Sequence, residues 1–193
     1  MRLFFGSAIL GALLISLAPL ASAAPQTTTP RVNADAVVIQ DFLKRVDEYV
    51  KLHRKLEETI PKLSKQTTPE EIDRHERSLA KLIQEARKDA TQGDLLTPGM
   101  QRLIRKLFRP IFAGKGGAQI KDEIMDREFK GSVKLAVNAR YPDEVPISTV
   151  PPQILAQLPK LPEELEYRFI RKNLILFDPH AHIIADYMER AFS

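Results

Sequence analysis

The chain of 193 residues contains no cysteine and no tryptophan, and only eight of its residues are glycine. Without cysteine there is no disulfide, no thiolate nucleophile, no sulfur ligand for a metal and no attachment point for a lipoprotein anchor. Stability must therefore come from helix packing and apolar burial. Charge of one sign is lacking too: Lys and Arg number 29 against 25 Asp and Glu. So even a balance leaves no electrostatic footprint for nucleic acid, and none is expected as a partner. Motifs of catalysis are also missing. Gly114-Lys115-Gly116-Gly117 has neither the spacing nor the following hydroxyl of a phosphate loop, and no serine beyond residue 23 stands in a nucleophile elbow. Neither a catalytic residue nor a cofactor is expected on these grounds.

Long apolar runs occur only at the start. Arg2 precedes an apolar stretch from Leu3 to Leu20, and Ala21-Ser22-Ala23 follows as a small-x-small exit. A charged start, an apolar middle and a small-residue end are the three parts of a secretory signal peptide, so residues 1–23 are read as a cleaved leader and the protein as periplasmic or secreted. Gly6, Gly11 and Pro19 interrupt the run and no basic stop-transfer cluster follows, which argues against a retained anchor. No transmembrane span is expected after cleavage. Residues 24–32, rich in Pro and Thr, bury nothing and read as a disordered tether.

The remainder reads as one α+β domain, mostly α. Asn33 caps a first helix to about Ile60, along which Phe42, Val46, Tyr49, His53, Leu56 and Ile60 form a seam. Thr68 opens a second with Pro69 at its first position and Glu71 completing a capping box. Its apolar period runs from Ile72 to Ala90, with Gly93 as the expected C-terminal cap. The short connection implies an antiparallel helical hairpin. Thr97-Pro98 starts a third helix that Pro110 kinks or ends, and Ile120 to Phe129 form a fourth, stopped at Gly131. The helical region thus spans 33–131. Residues 132–193 hold a strand-like alternation at Val133, Leu135 and Val137, then a Pro-rich arm in which Gln153–Leu158 has room for a turn or two of helix. A small antiparallel sheet closes the chain: Leu165–Ile170, a turn, Leu174–Phe177, and after Asp178-Pro179 either a final helix or a third strand, the strand being preferred.

Three groups of side chains have functional readings. His53 and His75 each lie seven residues from the loop side of their helices, so a hairpin brings them to similar depth, roughly 10 Å from the turn. Glu57 follows His53 by four and Glu71 precedes His75 by four, giving a two-His, two-Glu cluster able to hold zinc or iron, or to act as a pH-sensitive clasp. Ordinary packing of a half-buried His against a Glu is the bland reading and the preferred one. Asp178-x-His180-x-His182 resembles the strand with which metal-dependent amidohydrolase barrels open, alternation placing both imidazoles on one face. Only 11 residues follow His182, so a surface turn is preferred. Arg102, Arg105, Lys106 and Arg109 line one side of the third helix, with Lys115 beyond. This is a solvated face first, and otherwise a surface for an acidic partner or for weak contact with anionic lipid.

Tyr49-Val-Lys-Leu-His-Arg-Lys-Leu-Glu57, His75-Glu-Arg-Ser-Leu-Ala80, Gln92-Gly-Asp-Leu-Leu-Thr-Pro98 and Tyr167-Arg-Phe…Leu174-Ile-Leu-Phe-Asp178 resemble stretches of a family of exported bacterial proteins of the acidobacterial type with no assigned activity. The resemblance implies export and a shared fold, and no reaction. The expectation is a noncatalytic binding or interaction protein that meets an unidentified protein partner in the cell envelope. The rival is a metal-binding protein or metal-dependent hydrolase using one of the histidine groups.

Overall fold

The computed structural model describes residues 33–64, 66–125, 133–146 and 150–192. The leader and tether read from the sequence lie outside these residues, as does the stretch from Phe129 to Gly131 expected to end the fourth helix. Helix α1 spans Ala34–Glu57, and Asn33 caps it by accepting from the Asp35 amide. Helix α2 spans Pro69–Ala86, its capping box closed in both directions between Thr68 and Glu71. Both helices stop short of the apolar period that announced them. Glu58 to Ile60 and Arg87 to Asp89 are turns, and Gly93, at φ +95°, donates its amide to Asp186 in a loop instead of capping α2. Arg87, just past the end of α2, stacks on Tyr49 in the middle of α1, while His75 near the start of α2 faces Glu57 at the end of α1. The pair is therefore the antiparallel hairpin expected.

Helix α3 covers Pro98–Ala113 under a Thr97 cap and carries Pro110 within it, so the proline does not end the helix. Helix α4 spans Gly117–Ile124, and α5 is the single turn Pro152–Leu155 behind Pro151. The sheet has the order β1-β2-β3. Strand β1 (Glu166–Ile170) pairs antiparallel with β2 (Asn173–Asp178), and β2 pairs antiparallel with β3 (Ile183–Met188) around a bulge at Leu176/Phe177. Residues 183–188 are thus a strand. Val133–Val137 is not one. Backbone pairing on the far side of β3 begins only at Asn138, which adopts a left-handed φ of 60°, and runs through Ala139 to Tyr141.

Alternation along the strands divides the core in two. Tyr167, Phe169, Leu174, Leu176, Ile183 and Ala185 join the helical residues in the main core, whereas Ile170, Ile175, Phe177 and Ile184 pack against Tyr141 and Val145 on the other side. Among the described residues no helix is long and apolar enough to cross a membrane. One polar anchor lies within this frame. Asp186, fully buried on β3, accepts from the amides of Gly93, Leu95, Leu96 and Tyr187, and so ties the α2–α3 loop to the sheet.

Candidate metal centre

Tyr49, His53 and Glu57 follow one another at intervals of four along α1 and therefore share a face. That face lies against the end of β2. Asp178 closes the strand, and its Oδ1 accepts from the amides of His180 and Ala181 at 3.0 and 2.9 Å, an Asx turn that sets the direction of the chain into β3. Its Oδ2 accepts from the Tyr49 hydroxyl at 2.6 Å and from His53 Nδ1 at 2.7 Å. Both Asp178 and His53 are completely buried. Burial, with the charge and hydrogen bond of Asp178 adding to it, pushes the Tyr49 phenol well above its usual range, so the hydroxyl is a permanent donor. In the neutral ring the carboxylate in turn fixes the His53 tautomer, with the proton on Nδ1 and the lone pair on Nε2.

His53 Nε2 is buried and has no hydrogen-bond partner. It points at Glu57, whose Oε2 lies 3.4 Å away. The other Glu57 oxygen collects two further imidazoles: His180 Nδ1 at 3.2 Å and His75 Nε2 at 3.6 Å. His75 Nδ1 donates to the Pro61 carbonyl at 3.1 Å, which again leaves Nε2 as the free lone pair. Three of the four histidines in the chain thus converge on one carboxylate. Burial disfavours the His53 cation, yet the hydrogen bond and charge of Asp178, with Glu57 and Glu164 behind them, outweigh it and hold the imidazole above its ordinary value.

The donor set fits a metal ion of the zinc class. Nitrogen and oxygen ligands lie about 2.0–2.2 Å from zinc, which in a tetrahedron puts them roughly 3.3–3.6 Å from each other. Glu57 Oε2 lies 3.4 Å from His53 Nε2, and Glu57 Oε1 lies 3.2 Å from His180 Nδ1 and 3.6 Å from His75 Nε2, each close to that spacing. One donor atom each from His53, Glu57 and His180 lies within 4.8 Å of the other two. His75 stands at the rim, beside a cavity of about 390 Å³ that Glu57, Arg54, Glu58, Lys62 and Leu63 also line. An imidazole whose second nitrogen donates to a carboxylate, itself hydrogen-bonded, is the usual outer shell of a histidine ligand, and the Tyr49–Asp178–His53 chain has this form. His180, with 39% of its side chain exposed, has solvent access through which its proton can pass to Nε2 and free Nδ1.

No protein-family model, curated protein or solved structure matches the chain.

The two histidine groups read from the sequence are redistributed. Of the hairpin cluster, His53, Glu57 and His75 meet, but Glu71 faces its own helix start, where its carboxylate accepts from the Thr68 amide. Of the Asp178-x-His180-x-His182 stretch, Asp178 and His180 join His53. His182 does not. Residues 179–182 are a turn, and His182 has a left-handed φ of 52°, so strand alternation does not apply and the two imidazoles part. His182 lies instead between Glu76 and Asp143, at 3.9 and 3.6 Å, where Arg140 pairs with Asp73, Glu76 and Asp143. The basic face of α3 also divides. Lys106 pairs with Asp35 at 2.6 Å, and Arg105 donates to the carbonyls of Glu189 and Arg190, while Arg102, Arg109 and Lys115 are exposed. Two site residues went unnoticed in the sequence, Tyr49 and Asp178 as partners of His53. The four-residue step from Tyr49 to His53 was the available signal for the first. For the second no local signal exists, because 125 positions separate Asp178 from His53.

Proposed function

We propose that this is a binding protein for a divalent metal of the zinc class, with His53 Nε2, Glu57 and His180 as ligands, His75 beside the fourth position and Asp178 as the outer-shell carboxylate. The observation that carries the reading is the fully buried, partnerless Nε2 of His53 aimed at the carboxylate on which two further histidines converge. An unpaired buried nitrogen costs free energy in the empty protein, and an ion placed there would remove that cost. The export signal at residues 1–23 supports a place of work in the periplasm or outside the cell, where a binding protein in the cell envelope would meet the metal.

Titration of the metal-free protein with Zn²⁺, followed by calorimetry, tests the assignment. One ion should bind per chain, with affinity lowered at least about 100-fold in His53→Ala and in His180→Ala. His182→Ala should leave it unchanged. Stoichiometric binding that survives both ligand substitutions would refute the assignment.

Metal-dependent hydrolysis is the second reading. It is favoured by the two-His, one-Glu donor set, which in catalytic zinc sites leaves a position for water, and by the cavity alongside Glu57 and His75. His75→Ala separates the two: a loss of affinity makes His75 a fourth ligand and closes the site, whereas unchanged affinity with loss of ester turnover makes it a group acting on bound water.

A further inference from the structure

At the C-terminal end of α3 a second, separate site takes shape from a tight corner. A Cβ on Gly117 would lie 2.2 Å from the Phe112 carbonyl oxygen, and Gly116 takes a left-handed φ of 95°. Only glycines let α4 turn back this closely on the end of α3. The turn lays Lys121 over the Phe112 ring, its Nζ 5.9 Å from the centroid. From the other side the residues after β3 bring in Phe192, stacked on Phe112 at 4.4 Å, and Arg190. A cavity of about 280 Å³ results, with Phe108, Phe112 and Phe192 in its walls and four cations around it: Arg105, Arg109, Lys121 and Arg190.

No carboxylate lines this cavity. Arg105 donates to the Glu189 and Arg190 carbonyls and so holds the segment that carries Arg190, while keeping its charge. Among the described residues the side chains of Arg109, Lys121 and Arg190 form no ion pair. Four like charges around an apolar floor repel one another and raise the local potential for an anion.

We propose that this cavity binds a small oxyanion carried on an aromatic ring, an aryl phosphate or aryl carboxylate. The guanidinium groups supply paired donors of the geometry that oxyanions accept, and the phenylalanine walls receive the ring. The volume, near the lower end of ligand cavities, suits one ring with its charged substituent. The site shares no residue with the metal centre.

Calorimetric titration of the full protein in EDTA with phenyl phosphate, benzoate and inorganic phosphate tests this, alongside co-sedimentation with phosphatidylglycerol vesicles. Phenyl phosphate or benzoate should bind at least about tenfold more tightly than inorganic phosphate, and the stronger of the two identifies the oxyanion. The Arg109→Gln/Lys121→Gln double variant should weaken that binding at least about tenfold, with the fold retained by circular dichroism and the zinc titration unchanged. Absence of binding by both aryl probes, equal binding of inorganic phosphate, indifference to the double substitution, or binding to vesicles alone would each overturn the proposal.

Discussion

At the scale of the residue, His53 is governed by two carboxylates on opposite sides of its ring. Asp178 holds Nδ1 and, through Tyr49, is itself held, while Glu57 faces Nε2. Because the folded imidazole titrates above its unfolded value, the folded state binds its proton more tightly. The stabilisation is then fully present below the unfolded pKa of about 6.5 and is lost as pH rises through the folded value. In metal-free protein, the stability difference between wild type and His53→Gln, taken from urea midpoints, should be larger at pH 5.5 than at pH 8.5. A difference that is flat or grows with pH would contradict the assignment of Asp178 and Glu57 as the dominant partners. Asp178→Asn probes the outer shell: it keeps the shape but loses the charge that orients the ring, and zinc affinity should fall about 10–100-fold.

At the scale of the element, the corner between α3 and α4 depends on two glycines for different reasons. Gly116→Ala places a side chain at φ 95° with only the Gln119 Oε1, at 3.9 Å, in contact, and should cost about 1 kcal/mol. Gly117→Ala drives a methyl group into the Phe112 carbonyl and should cost more, about 2 kcal/mol or above. Chemical denaturation gives the order of the two, and the reverse order would mean that the close approach of α4 to α3 is relieved more cheaply than the geometry allows. The starts of α1, α2 and α3 were legible in the sequence because they are local chemistry, whereas α4 begins at Gly117, before the Ile120 expected, and has no side-chain cap to announce it. Asn33, Thr68 and Thr97 each accept the backbone hydrogen bond their positions promised. Element ends were not, since α1 and α2 stop where tertiary contacts take over: Arg87 leaves the helical path and donates to Asn138 and to the Ala185 carbonyl. Apolar residues beyond that point still bury themselves without being helical.

At the scale of the whole molecule, the helical hairpin and the sheet share one core, and the proposed metal centre lies where they join. His53 and Glu57 come from α1, His75 from α2, and Asp178 and His180 from the end of β2 and its turn. Half of the site was readable as a pattern, since residues four apart on a helix must share a face. The other half depended on which strand end meets which helix, here the end of the central strand β2 against α1, a question of topology that spacing does not answer. The turn preferred for Asp178-x-His180-x-His182 is present at residues 179–182, but its direction was not readable: it sends one imidazole to Glu57 and the other to Glu76 and Asp143. If these separate segments assemble one ion site, anomalous diffraction at the zinc edge, from crystals of the purified protein grown with equimolar zinc, will show it. One dominant peak is expected about 2.0–2.2 Å from His53 Nε2, a Glu57 oxygen and a His180 nitrogen. No peak there, or a dominant peak beside His182, would contradict that assembly.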